Sequence, residues 1–174
     1  MKRTKLYTPL LVLALFACDD DDDNKKSLNG TDKNFTEQAA MSNLAEVDLA
    51  TLASPKATSQ SVKDFAQHMI TEHNEAQNEL KDIADNRHNV NWPTSIDAAH
   101  AQIKQQLQGL SGLAFDTTYI SGQVKDHAKV ISLFQTEISN GSENEIKQYA
   151  GKYLPHIQEH HSTASRILGE LKMD

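Results

Sequence analysis

Three histidines fall where a helix would turn them inward. Written as helical stripes, residues 62–83 give Val62, Ala66, Met69, His73, Ala76, Leu80 and Ile83, with spacings of four and three in alternation. Residues 120–138 give Ile120, Val124, His127, Ile131, Phe134 and Ile138, and residues 146–171 give Ile146, Ala150, Tyr153, Ile157, His160, Ala164, Ile167 and Leu171. Each stripe carries one histidine near its middle. An earlier stretch offers Phe35, Ala39, Ser42, Glu46, Leu49 and Ala53, which places Glu46 inside; an alternative stripe through Met41, Ala45, Asp48 and Leu52 leaves Glu46 on the flank.

One carboxylate and three imidazoles at one height are ligand types that suit Zn, Fe, Cu, Ni or Mn, and facing helices are a usual place to assemble such a set. The same side chains would equally serve a buried hydrogen-bonded layer that fixes helix register. Eight histidines in the chain make two or three inward ones unremarkable as a count, so height is the sharper criterion. In a helical hairpin, facing residues are equidistant from the turn. His127 and His160 then imply a turn near 143.5, beside Gly141, and Glu46 with His73 implies one near 59.5, beside the break at residues 54–60.

An acid precedes each histidine: Glu72, Asp126 and Glu159. One residue is 100° around a helix, so these acids read either as a solvated flank or as carboxylates that orient an imidazole from behind. His156, four residues before His160, reads as part of a chelating pair or of a polar rim, and His68, His88, His100 and His161 read as exposed.

The elements that must position these groups are helices. Asn34 and Glu37 offer a cap for a first helix reaching Ser54 and Pro55; Ser61 and Asp64 offer one for a second that ends near Asn86. A short helix after Pro93 carries Ile96, Ala99, Ile103, Leu107 and Leu110 and stops at Gly109 and Gly112. A third long helix covers about 113–139, with Phe115 as an apolar anchor and Asp116 as a cap. Gly141 then ends it, and Ser142 with Glu145 forms a capping box for a fourth that reaches Leu171. No alternating β-branched run is sustained. Two short connections and one long one predict an all-α fold, a ferritin-like antiparallel four-helix bundle with a short helix in the crossover.

Residues 1–17 read as a signal peptide: Lys2, Arg3 and Lys5 precede the apolar run Leu6 to Ala17, too short to span a bilayer. Leu15 and Ala17 before the single Cys18 resemble a lipobox, which predicts a lipid-anchored envelope protein, periplasmic or surface-exposed, held to the outer membrane through Cys18. Residues 18–33, with five aspartates at 19–23, form an acidic tether, and residues 34–174 form the bundle domain. Without the leader's three cations, 14 basic face 24 acidic residues, so the sequence offers no basic surface for nucleic acid.

The blocks LAEV, FAQHMITEH, FDTTYISGQVKDH and YLPHIQEHHSTA, in this order between Asn34 and Leu171, resemble a bacterial family of exported ferritin-like helical proteins catalogued as candidate outer-membrane proteins, a domain of unknown function. The resemblance implies an antiparallel bundle with Glu46, His73, His127 and His160 as the positions to test, and brings no settled reaction. Di-iron bundles place a Glu three residues before each metal histidine. Ile70, Val124 and Ile157 occupy those positions here. With no glycine-rich phosphate loop and no GxSxG elbow, the expectation is a metal-holding envelope protein or a non-catalytic partner-binding module. Acid–base catalysis by the histidines is a third reading.

Overall fold

The computed structural model describes residues 27–173 except 86 and 88; the leader, Cys18, the aspartate run and His88 lie outside the described residues. Five helices and no strands are present among them: α1 (Gly30–Lys56), α2 (Gln60–Ala84), α3 (Ala98–Gln108), α4 (Gly112–Asn140) and α5 (Asn144–Leu171). None of these helices is long and apolar enough to cross a membrane. The closest packing joins α1 to α2 and α4 to α5; α1 also lies against α4, and α2 against α5.

The core divides in two along the helix axes. One apolar cluster gathers Leu49, Phe65, Met69, Phe115, Ile120 and Ile167, with their neighbours. The other gathers Phe35, Leu80, Phe134, Ile146, Tyr149 and Ile157. Burying such side chains stabilises the fold by about 1.5–3 kcal/mol each. Between the clusters lies a slice whose buried members are polar: Asn43, Glu46, His73, Gln123, His127 and His160. The inward stripe of α1 is therefore the one through Phe35, Ala39, Glu46, Leu49 and Ala53, with Asn43 buried in place of the half-buried Ser42. Tyr119 is a core residue beside Phe65 and Phe115, and Tyr153 is a half-buried rim residue whose hydroxyl donates to Glu79.

Helix starts differ from their sequence readings because partners come from other helices. α1 begins at Gly30, capped by Asn29, whose Oδ1 accepts from Thr31 and Asp32 N–H at 2.8 and 2.9 Å; Asn34 is exposed inside the first turns. Pro55 sits in its last turn, where the helix ends anyway. The Ser142 and Glu145 box does not form. Asp32 of α1, fully buried, instead accepts from the Ser142 and Glu143 N–H groups at 2.9 and 3.2 Å. Asp116 is the mirror case: it caps not its own helix but the start of α2, accepting from Thr58 N, Thr58 Oγ and Ser59 N. Each hairpin thus lends an aspartate to the other's second helix. Ser61 and Asp64 are not the cap of α2: Ser61 pairs with Ser59 Oγ, and Asp64 accepts from Gln60. Asp97 caps α3, accepting from the His100 N–H, and of the α3 stripe only Leu107 is buried.

Glu137 lies beside Asp32, and burial followed by that carboxylate's hydrogen bond and charge raises its pKa to about 8. That raised value favours its protonated form at pH 7. Gly141 is required by this packing: a Cβ there would stand 2.6 Å from Glu137 Cδ and 2.7 Å from its backbone oxygen. Gly141→Ala is expected to cost about 1–3 kcal/mol by overpacking, read as a lower urea midpoint at pH 7.

Candidate metal centre

His73 from α2, His127 from α4 and His160 from α5 meet in the polar slice, each 5% exposed or less. Their ring centroids are 5.7, 5.4 and 5.3 Å apart, and one ring nitrogen of each lies within 4.8 Å of the other two. The three helices deliver them because alternating spacings of three and four keep one residue per turn on the inner face, and His73, His127 and His160 share a height.

The hydrogen bonds assign the tautomers. Asn43 Nδ2 donates to Gln77 Oε1 and to the Tyr149 hydroxyl, so its Oδ1 is free to accept from His73 Nδ1 at 2.9 Å. His127 Nδ1 donates to the Gln123 carbonyl at 3.0 Å, and His160 Nε2 to Glu72 Oε2 at 2.9 Å. All three acceptors lie outside the triad. The remaining nitrogens, His73 Nε2, His127 Nε2 and His160 Nδ1, are buried lone pairs with no protein partner. Leaving a buried polar atom unpaired costs about 1–3 kcal/mol. No imidazole of the triad bonds another among the described residues; each is held from outside.

Burial holds the triad in the neutral form that ligates metals. Burial, then the neighbouring His127 and His160, pushes the His73 pKa well below its usual value. His127 is lowered to about 4 by burial, against an opposing pull from the Gln123 carbonyl and Asp126. His160 is lowered to about 3 by burial and by His127, His68 and His156.

Glu46 is buried, but its Oε1 lies 3.7 Å from His127 Nδ1, the nitrogen already committed to Gln123, and it is not one of the close-set ligands. Burial raises its pKa to about 7, with the Gln123 side chain pulling the other way. Of the three acids beside the histidines, only Glu72 touches a triad imidazole, and it is His160 across the helix pair rather than its neighbour His73. Glu72 also meets His156 Nδ1 at 3.1 Å and His68 Nε2 at 3.1 Å. Asp126 is held by Lys129 at 2.7 Å, and Glu159 is exposed.

His68 is exposed yet edge-on to His160 at 5.4 Å. His100, expected at the surface, is half-buried against Asp97, and His161 is half-buried too. Asn43 and Gln123 were not singled out by spacing; their only sequence signal is a polar residue within one turn of an inward Glu or His. The cavity against His73 and His160 holds about 10 Å³, the room of one water or ion. A family model described as a domain of unknown function (DUF4142) matches residues 19–167. No curated protein and no solved structure matches the chain.

Proposed function

Because the chain belongs to the DUF4142 family, a domain of unknown function, its role is argued from its own polar slice, and we propose that it holds a single transition-metal ion on His73, His127 and His160. The observation that carries this reading is the set of three orphaned ring nitrogens, each on an imidazole whose other nitrogen is fixed by an acceptor. Outer partners of this kind fix tautomer and raise ligand basicity in metal sites. An all-imidazole set suits Zn, Cu, Ni or Fe better than Mn, and three protein ligands leave a coordination position for water. Glu46, 3.7 Å from His127 Nδ1, is the carboxylate placed to orient His127. The cavity of about 10 Å³ against His73 and His160 has the room of one ion, and we read its holding as serving storage, sensing or stress protection.

We further read the architecture as a ferritin-like antiparallel bundle. Leu28 bonds Asn89 past the end of α2, Arg87 pairs with Glu143 at the start of α5, and Thr58 bonds Asp116 at the start of α4; these contacts support alternating helix directions with a long crossover through α3. The basic start, the short apolar run and Cys18 support an envelope lipoprotein anchored to the outer membrane.

Elemental analysis of the purified protein after incubation with Zn, Fe, Cu, Ni or Mn tests the metal reading. One ion per chain is expected, absent in His127→Ala; no ion with any of the five metals would sink the reading. Mass spectrometry of the native N-terminus is expected to show a lipid-modified Cys18, and an unmodified thiol there contradicts the anchor.

A further inference from the structure

Resting on the reading of the triad as a metal site, we propose that His68, Glu72 and His160 form a second, outer cation position that shares His160 with the inner triad and loads it. One ligand atom from each of these three residues lies within 4.8 Å of the other two. Glu72 is the hinge of the group, with Oε1 3.1 Å from His68 Nε2 and Oε2 2.9 Å from His160 Nε2. Exposure falls steeply along the line: the His68 side chain is 52% exposed, Glu72 24% and His160 3%.

The two cavities meet at the same residue. A groove of about 420 Å³ between α2 and α5, lined by Asp64, His68, Glu159 and His160, opens to solvent. The small inner cavity is lined by Glu72, His73 and the same His160. Asp64 and Glu159 line this groove against one cation, Arg166, which is itself paired with Glu170, and Glu72 bridges His68 and His160 at its inner end; that negative balance concentrates cations at its mouth.

His160 can serve only one position at a time. A neutral imidazole has one N–H and one lone pair. With its proton on Nε2, facing Glu72, His160 presents its Nδ1 lone pair, the orphan of the inner triad. With the proton on Nδ1, the lone pair moves to Nε2 and faces His68 and Glu72. Neutral His160 therefore ligates the outer cation through Nε2 or the inner one through Nδ1, not both, and in the inner-loaded state its Nε2–H is donated to Glu72. His156 Nδ1 lies 3.1 Å from the same Glu72 oxygen that meets His160.

The test uses the full chain stripped of metal and mixed with Co²⁺ in a stopped-flow instrument, following the visible absorption of nitrogen-ligated cobalt. The wild-type protein is expected to take up one Co²⁺ per chain in a fast and a slow phase. His68→Ala, at an exposed position that leaves the core intact, is expected to lose the fast phase and load about tenfold more slowly. Its final affinity should stay within about twofold of wild type, since it lacks no inner ligand. The double variant His73→Ala/His127→Ala, checked for helicity by circular dichroism, is expected to bind one Co²⁺ weakly and in the fast phase alone. Unchanged uptake by His68→Ala overturns the outer position while leaving the triad standing, as does loss of all binding in the double variant. Two tightly bound ions per wild-type chain overturn the shared ligand. No uptake by the wild-type protein overturns the triad reading itself.

Discussion

Zinc at a thousandfold excess over its dissociation constant is expected to raise the unfolding free energy of the purified protein by about 4 kcal/mol. For a chain of this size that is a rise of about 8–16 °C in Tm. The ligands come from α2, α4 and α5, so the bound state is destroyed when the bundle opens, and the unfolded chain retains no such constellation. His127→Ala is expected to abolish the rise while moving the metal-free Tm far less. That substitution removes a buried ring and its bond to the Gln123 carbonyl, but it also removes an orphaned nitrogen. Differential scanning calorimetry with and without zinc separates the two contributions.

The pH dependence carries a sign that a surface histidine site would not show. An exposed cluster loses metal as pH falls through about 6.5, where free imidazole protonates. His127 and His160 hold their neutral form down to about 4 and 3, so zinc affinity is expected to stay flat from pH 7 to about pH 5 and to fall below that. The metal-free fold responds differently, because the unfolded histidines still titrate normally. Their lowered native values make the unfolded state bind more protons, so their contribution is whole above pH 6.5 and is lost as pH falls toward 4. Glu46 and Glu137 act with the opposite sign. Their raised values mean a contribution present below about 4.5 that is lost as pH rises through about 7 and about 8. Metal-free stability should therefore peak in mildly acidic solution, which urea melts across pH 4 to 9 would locate.

Asp116→Ala is expected to cost about 3–5 kcal/mol, a large fraction of the whole stability of a domain this size. The carboxylate is fully buried and accepts from Thr58 N at 3.1 Å, Thr58 Oγ at 2.6 Å and Ser59 N at 2.7 Å. Removing it strands two backbone donors at the start of α2 and leaves a void beside Phe115. Asp116→Asn keeps one acceptor oxygen but aims an N–H₂ group at the same donors, so a smaller loss is expected. Chemical denaturation of both variants gives the comparison, and an Ala variant within 1 kcal/mol of wild type by the usual spread of surface substitutions would refute the cap.

Much of this was legible in the chain. The stripes of α2, α4 and α5 repeat every three or four residues over many turns, and His73, His127 and His160 interrupt them at matched distances from two short turns. Periodicity records which face of a helix is inward. It does not record what that face meets. Asn43, Gln123 and the far partner of Glu72 escaped because each acts through a hydrogen bond whose other half, or whose purpose, lies on a ring elsewhere in the slice. The same blindness misplaced the caps. Ser142 and Glu145 have the right local spacing, but Asp32, more than a hundred residues away, already occupies the Ser142 N–H that Glu145 would have used.

The exchange of aspartates between the hairpins sets how the molecule comes apart. Neither α2 nor α5 has a finished start while its hairpin is alone, since Asp116 and Asp32 reside in the opposite half. Peeling one hairpin from the other breaks both caps at once and exposes two desolvated carboxylate sites together, so a half-open form gains little on the fully unfolded chain. The two halves should therefore melt as one cooperative unit, with amide protons at both helix starts exchanging only through global unfolding.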